Sequence, residues 1–189
     1  MKLRDSGMPE ERYWESLFDV PLILDRLGIN SAIRDVAELG CGYGTFTLPI
    51  ARAIRGTIYT FDIDTNMVGR TQERVRHAGA NNVVCRELDV MEHGFDVPNP
   101  VDVGLLFNIL HCEEPERLLG HAATAVRRGG RVLVIHWRCD PTTPRGPTLD
   151  IRPKPEQIVL WAATGGQLVW QNEVLQLPPW HYGLDFGRV

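Results

Sequence analysis

Residues 36–44 read VAELGCGYG, a short apolar stretch that runs into three alternating glycines. Residues 45–54 follow with apolar side chains at helical spacing, so the pattern predicts a strand, a glycine-rich turn and a helix. Glycines in such a turn adopt unusual φ angles and let a ligand approach the main chain. The next helix begins with N–H groups that have no partner inside the helix. The stretch therefore predicts a ligand site at the carboxyl end of a strand.

The alternation of strand and helix continues through the middle of the chain. Strands are predicted at 35–39, 57–61, 82–88, 101–107 and 131–137, and helices at 65–78 and 113–126. Strands that alternate with helices at this spacing form a parallel sheet with right-handed crossovers. The middle of the chain therefore predicts an α/β fold.

The two ends of the chain break this alternation. The first 30 residues predict one or two helices, and five prolines within 140–155 predict a loop. A short helix at 156–164 then precedes two alternating stretches, 167–177 and 181–188, which are joined by Pro178-Pro179-Trp180. So short a connection predicts an antiparallel hairpin at the edge of the sheet.

Composition excludes several functional classes. The chain has 189 residues, of which 43% are hydrophobic and 23% charged, with a net charge of −4. This acidic balance lacks the basic footprint of a general nucleic-acid binder, so no nucleic-acid partner is expected. No apolar run approaches the ~18 residues of a membrane span, and the start, MKLRDSGMPEE, has no signal-peptide core. Four scattered cysteines predict reduced thiols, a cytoplasmic location and no metal site.

Acidic residues follow the second and third strands at the edge that carries the glycine turn. Asp62 lies 22 residues after Gly40, where a carboxylate can accept hydrogen bonds from both hydroxyls of a ribose. Asp89 is placed to meet the exocyclic amine of an adenine, with Val90 against the ring. The structural alternatives, a helix cap at Asp62 and a turn at Asp89, stay open on the residues alone. A dinucleotide fingerprint would need glycine at position 45, which is Thr45.

Several blocks together resemble a known family. They are VAELGCGYG at 36–44, FDIDTNM at 61–67, RELDV at 86–90, LFNILHCEEP at 106–115 and RRGGRVLVIHW at 127–137. The ending PPWHYGLDFGR at 178–188 looks like the family's closing hairpin. The chain resembles a class I S-adenosylmethionine-dependent methyltransferase. It is most similar to the small-molecule group that includes the ubiquinone/menaquinone-biosynthesis methyltransferases.

The resemblance implies a Rossmann-like, mostly parallel seven-stranded sheet of order 3-2-1-4-5-7-6, with the last strand antiparallel and helices on both faces. On this reading residues 1–189 form a single methyltransferase domain. Its expected parts are an N-terminal helical cap at 1–30, a cofactor-binding half at 31–137, a Pro-rich loop at 138–155, and a helix with the closing hairpin at 156–189.

The resemblance also implies that S-adenosylmethionine is bound, with S-adenosylhomocysteine as the product. The loop glycines would line its methionine portion, with Glu38 supporting the loop or the amino group. Asp62 would hold the ribose, and Asn108 would face the sulfonium. The cofactor-binding residues implied in this way are Glu38, Gly40, Cys41, Gly42, Gly44, Asp62, Ile63, Met67, Asp89, Val90 and Asn108.

The acceptor side is less defined by the sequence. Methyl transfer from a sulfonium needs a general base only if the nucleophile must lose a proton. His111, just beyond the fourth strand, is the candidate base and acceptor contact, and a structural hydrogen bond is its alternative. Tyr13 and Trp14 are candidates for substrate contacts and for an aromatic lid on the cofactor, with a plain amphipathic helix contact as the alternative. The N-terminal helices, the 138–155 loop or a second subunit should complete the acceptor pocket, so a homodimer is one expected assembly.

The acceptor class can be narrowed by what the fourth-strand block lacks. Asn108-Ile109-Leu110-His111 does not match the Asp/Asn-Pro-Pro-aromatic pattern of DNA amino-methylases, and Cys112 does not follow a proline as in cytosine-C5 enzymes. A small molecule with an oxygen, nitrogen, sulfur or carbon nucleophile remains. Two alternative functions stay open: a non-catalytic S-adenosylmethionine-binding module that acts with a partner, and a nicotinamide-dependent oxidoreductase.

Overall fold

One sheet of seven strands brings the glycine turn to the middle of the molecule. In a computed structural model that describes residues 8–189, the strands are β1 Val36–Leu39, β2 Ile58–Asp62, β3 Val83–Glu87, β4 Val101–Phe107, β5 Val126–Trp137, β6 Leu168–Leu177 and β7 His181–Arg188. Their order is β3-β2-β1-β4-β5-β7-β6. The pairs from β3 to β5 are parallel, and β7 runs antiparallel to β5 and β6. The predicted order is confirmed.

Seven helices accompany these strands in the described part of the chain. They are α1 Glu11–Glu15, α2 Val20–Arg26, α3 Thr47–Ala53, α4 Thr65–Ala78, α5 Val90–His93, α6 Pro115–Ala125 and α7 Pro155–Thr164. Local chemistry sets their ends. Asp64 caps α4 by accepting a hydrogen bond from the Asn66 N–H at 2.8 Å, and Gly79 ends this helix at a φ of 62°. None of these helices is long and apolar enough to cross a bilayer.

The sheet is buried on both faces, as a parallel sheet flanked by helices requires. All four residues of β1 are buried. On one face Leu106, Val134 and Phe186 belong to a hydrophobic cluster that includes residues of α6 and α7. On the other face Leu105 and Leu133 belong to a second cluster, with residues of α2 and α3. Helices therefore cover both faces, as expected.

β5 begins earlier than predicted. Val126 already pairs with Val101, and the register shifts between Val101 and Val103. Gly129 and Gly130 therefore lie inside an irregular strand. A Cβ at Gly130 would lie 2.6 Å from the Asp102 carbonyl oxygen, so the close approach of these main chains requires glycine.

The Pro-rich loop is fixed by a buried arginine. The Arg152 guanidinium donates hydrogen bonds to the carbonyl oxygens of Pro147 at 2.7 Å and Arg138 at 2.8 Å. The Tyr182 hydroxyl of β7 donates to the Pro153 carbonyl at 2.8 Å. These bonds attach the loop to the end of the sheet, where Gly146 lies against the Trp137 ring. Residues 1–7 of the expected N-terminal cap lie outside the described residues.

Candidate functional site

A cavity of about 600 Å³ lies at the carboxyl ends of β1 to β5. This volume is in the range of small-molecule sites, ~300–1,000 Å³. In the sheet order, β2 and β3 lie on one side of β1, and β4 and β5 lie on the other. Acidic residues lie at or just after the ends of β2 and β3, whereas β4 and β5 end in aromatic residues, so the two ends of the cavity differ chemically. We call the end at Asp62, Asp64 and Asp89 the acidic end. We call the end at Trp14, Phe46, Phe107 and Trp137 the aromatic end.

The structure brings most of the predicted site residues to this cavity. Those that line it are Trp14, Glu38, Gly40, Cys41, Gly42, Asp62, Ile63, Met67, Asp89, Val90, Asn108 and His111. Gly44 and Tyr13 are not among the lining residues. Gly44 faces α4, where a Cβ would lie 3.3 Å from Thr71 Cγ2, and Tyr13 is 42% exposed on the outer side of α1. The structure therefore does not bring these two residues to the cavity.

The glycine loop adopts the backbone that its sequence predicts. Gly40, Gly42 and Gly44 have φ angles of 84°, 51° and 74°. All three lie in the left-handed region, which glycine enters without steric cost. A Cβ at Gly42 would lie 3.2 Å from Met8 Cε, so a larger residue at this position would also crowd the Met8 side chain. The main chain of the loop is therefore exposed to the cavity without intervening side chains at Gly40 and Gly42.

Asp62 holds the loop and faces the cavity with one carboxylate. Its Oδ2 accepts a hydrogen bond from the Gly42 N–H at 3.1 Å, and its Oδ1 accepts one from the Asp64 N–H at 3.0 Å. Burial raises the pKa of Asp62, and these two backbone bonds oppose that rise. The Cys41 thiol also donates to Asp62 Oδ2, at 3.7 Å. A carboxylate offers about four lone-pair sites, so these three donors leave acceptor capacity toward the cavity.

Glu38 is a buried carboxyl at the base of the loop. It is 2% exposed, and its Oε2 accepts hydrogen bonds from the hydroxyls of Thr47 at 2.5 Å and Thr60 at 2.7 Å. Burial raises the pKa of Glu38 from 4.5 to about 7, against the lowering effect of the two threonines. The group therefore titrates near neutral pH, and a cation in the cavity would favour its ionised form.

Asp89 has the turn role that the sequence left as an alternative. As the N-cap of α5, its Oδ1 accepts a hydrogen bond from the Met91 N–H at 2.9 Å. Its neighbours Leu88 and Val90 line the cavity and provide an apolar surface beside the carboxylate. The helix α5 that begins at Val90 has only four residues.

Two polar side chains in the cavity wall have no hydrogen-bond partner. Asn108 has a φ of 56°, and both polar atoms of its amide are buried without a partner. Thr45 is 7% exposed, and its hydroxyl is likewise buried without a hydrogen-bond partner. Buried polar groups left unpaired cost free energy, and ligand groups commonly satisfy them. Thr45 was missed as a site residue, although its position at the end of the glycine turn was a usable signal.

The aromatic end is formed by two pairs of rings. Trp14 and Trp137 have ring centroids 6.3 Å apart at an interplanar angle of 64°, and Phe46 and Phe107 are 5.0 Å apart at 74°. Phe107 and Trp137 are the last residues of β4 and β5. The sequence did not identify Phe46, Phe107 or Trp137 as site residues. Their positions at a helix start and at two strand ends were the available signal. No residue of the 138–155 loop lines the cavity.

His111 is the histidine that lines the cavity in the described part of the chain. It is 6% exposed and packs edge-on against His136, with ring centroids 5.6 Å apart. His136 Nδ1 accepts a hydrogen bond from the Trp137 N–H at 3.0 Å, and burial holds its pKa well below the usual range. His136 is therefore neutral, and His111 stands against an uncharged ring.

Helix α1 is attached to the glycine loop from outside the cavity. Arg74 of α4 forms ion pairs with Glu11 at 3.0 Å and Glu15 at 2.7 Å, and it donates a hydrogen bond to the Tyr43 carbonyl at 2.9 Å. The Tyr43 hydroxyl donates to the Pro9 carbonyl at 2.8 Å. These contacts position Trp14, which α1 carries, at the aromatic end.

Comparisons with known proteins agree with this geometry. A family model described as a methyltransferase domain matches residues 37–132. A curated phosphatidylethanolamine N-methyltransferase from Cereibacter sphaeroides is 29% identical over 114 residues, which cover 57% of this chain and 53% of that protein. The matched stretch thus spans about half the length of this relative.

Solved structures share the fold over almost the whole chain. A SAM-dependent methyltransferase from Aquifex aeolicus has a TM-score of 0.82 at 21% identity and covers 95% of this chain and 94% of its own. A magnesium protoporphyrin IX methyltransferase from Synechocystis PCC 6803, with bound SAH, has a TM-score of 0.68 at 17% identity and covers 97% and 90%. At these identities the two structures establish a common fold.

Proposed function

Because the chain belongs to the methyltransferase domain family, of the class I S-adenosylmethionine-dependent type, we propose that it transfers a methyl group from S-adenosylmethionine to a small-molecule acceptor. The observation that carries the proposal is the division of the cavity. A glycine loop and carboxylates line one end, aromatic rings line the other, and the unpaired groups of Thr45 and Asn108 lie in its wall. A donor and an acceptor would bind at the two ends, with the reacting atoms near Asn108.

The residues present fit the donor. Asp62 and Asp89 would face its ribose and adenine, and Ile63, Met67 and Val90 would contact the adenine. The hydroxyl of Thr45 and the amide of Asn108 offer three donor hydrogens and two acceptor oxygens, which suit an amino acid end that carries both an ammonium and a carboxylate. When bound, the sulfonium supplies an activated methyl group and leaves as a neutral thioether. The carboxylates of the lining would stabilise its positive charge.

The chain's own contribution to the rate would be positioning and exclusion of water. The rings of Trp14, Phe46, Phe107 and Trp137 give the acceptor an apolar enclosure, which holds the nucleophile in line with the methyl group. His111 lies at the same cavity and would accept the proton of a nucleophile that must lose one. We propose this role for His111 and none for Tyr13, which lies outside.

The test is a calorimetric titration of the purified chain with S-adenosylmethionine, S-adenosylhomocysteine and NADH. Micromolar binding of the two sulfur compounds, with no heat from NADH, is the expected result. An assay of methyl transfer from labelled donor to a set of amines, phenols and thiols then follows. Binding of NADH alone would overturn the proposal. Binding of S-adenosylmethionine without methyl transfer to any of these amines, phenols and thiols would favour the non-catalytic alternative.

Amines belong first in that set, because the curated relative is named as an N-methyltransferase. The comparisons give no support to the nicotinamide alternative or to the non-catalytic one. The cytoplasmic location, the homodimer and the absence of a nucleic-acid partner stay predictions from the sequence.

A further inference from the structure

We propose that the aromatic end of the cavity binds the acceptor as an amine, held by cation–π contacts with Trp14, Phe46, Phe107 and Trp137. The inference rests on the proposed function, because it names the substrate class of the same site. It concerns a part of the cavity that neither the glycine loop nor the acidic residues explain. Three observations carry it: the arrangement of the rings, the charges of the lining, and the neutral state of the histidines beneath.

The rings form walls instead of a single stack. Within each of the two pairs the planes are steeply inclined, at 64° for Trp14 with Trp137 and 74° for Phe46 with Phe107. Phe18 joins the pairs from behind, with centroid distances of 4.9 Å to Trp14 and 5.1 Å to Phe46. All four rings line the same space, and an ammonium group placed over the face of an aromatic ring is attracted by its negative potential.

The charged side chains of the lining favour a cation. Apart from His111, the ionisable acids and bases of the described lining residues are the carboxyls of Glu38, Asp62, Asp64 and Asp89, together with two thiols. No lysine or arginine is among these residues, so an anionic acceptor would find no counter-ion there. The three aspartates lie at the acidic end, so they act on an acceptor at the aromatic end only from a distance, and that long-range effect disfavours an anion.

The histidines below the rings add no positive charge. His181 lies against Trp137, with ring centroids 4.1 Å apart, and stacks on Phe18 at 4.5 Å. Burial lowers the pKa of His181 to about 3, so this ring is neutral at physiological pH. The arginines that act on His181 from the far side, Arg138 and Arg152, do not line the cavity.

The charge balance of the reaction agrees with such a site. The nitrogen lone pair forms the new N–C bond, and the electrons of the broken C–S bond stay on sulfur. The positive charge therefore moves from sulfur to nitrogen, and the product is an ammonium. An acceptor that binds as an ammonium first gives up one proton, to His111 or to water, so that its nitrogen lone pair is free to attack. The enclosure must then tolerate a cation both before and after transfer, which aromatic faces with nearby carboxylates do.

The experiment compares three probes of nearly one shape by ligand-observed NMR, with and without saturating S-adenosylhomocysteine. The probes are the cation choline, the uncharged alcohol 3,3-dimethylbutan-1-ol, in which tert-butyl replaces trimethylammonium, and the anion 3,3-dimethylbutanoate (tert-butylacetate). Choline should bind about tenfold more tightly than the uncharged alcohol, a difference of ~1.4 kcal/mol, and tert-butylacetate should bind weakest. Equal or tighter binding of either comparison compound overturns the proposal.

Variants then locate the effect. Trp14→Leu should remove most of the preference for choline, whereas Tyr13→Leu, which changes the adjacent aromatic residue outside the cavity, should leave it unchanged. Equal loss in both variants, or loss in neither, contradicts the assignment to the aromatic end. The two hypotheses fail separately. Absence of S-adenosylhomocysteine binding counts against the proposed function, while the choline preference of the unloaded chain reports on the aromatic end itself.

Discussion

The carboxylate of Asp62 accepts a hydrogen bond from the main-chain N–H of Gly42 at 3.1 Å. One side chain at the end of β2 thereby fixes the glycine loop that follows β1, 20 residues earlier in the chain. The structural and the ligand-binding interpretations of Asp62 are therefore not exclusive. The same carboxylate that holds the loop also lines the cavity, so loop geometry and ligand affinity should change together.

Asp62→Ala should weaken S-adenosylhomocysteine binding at least tenfold, a loss of ~1.4 kcal/mol, because both the ribose contact and the loop restraint are removed. Calorimetry measures the affinity, and thermal unfolding shows whether the variant is folded. Asp25→Ala, at an exposed position of α2, is the matched control and should bind as the parent chain does. Unchanged affinity in a folded Asp62→Ala variant would remove this residue from the site.

Glu38 should make the stability of the ligand-free chain depend on pH. Its folded pKa, about 7, lies above the reference value of 4.5, so its favourable contribution is complete below the reference pKa and is lost as pH rises through about 7. Because the side chain is buried, the loss is on the order of 3 kcal/mol. Chemical denaturation between about pH 5 and pH 8 should show this decline, and the isosteric Glu38→Gln variant should lack that part of it. An equal decline of the unfolding free energy in both proteins would contradict the assignment of this pH dependence to Glu38.

Asn108→Gly separates stability from binding. Glycine adopts the left-handed φ of residue 108 at lower steric cost than asparagine, and the substitution removes an amide whose buried polar atoms are unpaired. Extra freedom in the unfolded chain opposes these two gains. The free energy of unfolding should change by no more than about 1 kcal/mol. The S-adenosylhomocysteine affinity should nevertheless fall at least tenfold, as measured by calorimetry. A variant that loses stability and keeps its affinity would show that the Asn108 amide acts within the protein alone.

Arg74→Gln should loosen α1 without unfolding the chain. The ion pairs of Arg74 with Glu11 and Glu15 are partly exposed, so their loss should cost at most about 1 kcal/mol of global stability. The affinity of the aromatic end for choline should fall several-fold, because Trp14 loses its fixed position. Arg86→Gln is the control, since Arg86 pairs with Asp96 far from α1 in the chain and at the surface. Identical choline affinities in the two variants would contradict the role given to Arg74.

His111→Ala should lower the rate of methyl transfer to an amine and leave S-adenosylhomocysteine affinity within about twofold of the parent. A general base contributes roughly 10²–10⁴ in rate, so a loss in this range supports proton transfer at His111. The pH profile of kcat provides the second readout, since the limb that reports the base should disappear. A variant that fails to fold would instead support the structural interpretation of this buried ring.

The sheet was predictable from the sequence because its signals are local. Each parallel strand is a short apolar run that ends in a glycine, an acid or an aromatic residue, and β4 and β7 have the predicted bounds. The early start of β5 was not predictable in this way. Val126 joins the sheet through its pairing with Val101, a contact between residues that are distant in the chain.

The acidic end of the cavity was predictable for the same reason, since its residues follow directly from strand ends. The aromatic end was not. Phe46 and Trp137 are distant in the chain and come together by packing into the same hydrophobic cluster, and their apolar rings carry no local sign of a site. The Pro-rich loop, one of three expected alternatives for completing the acceptor pocket, contributes no residue to the lining of the cavity. Arg152 holds it behind Trp137, so it supports that ring without lining the cavity.

β7 follows every other described strand in the chain, yet it lies between β5 and β6 in the sheet. A nascent chain that ends before residue 181 would therefore present the long, apolar edge of β5 to its surroundings with nothing paired to it. Such an edge is a template for pairing with other chains, so incomplete products should aggregate instead of persisting as partly active fragments. Because β7 is synthesised after β5 and β6, formation of the β6–β7 hairpin is the folding step that covers the β5 edge and prevents self-association.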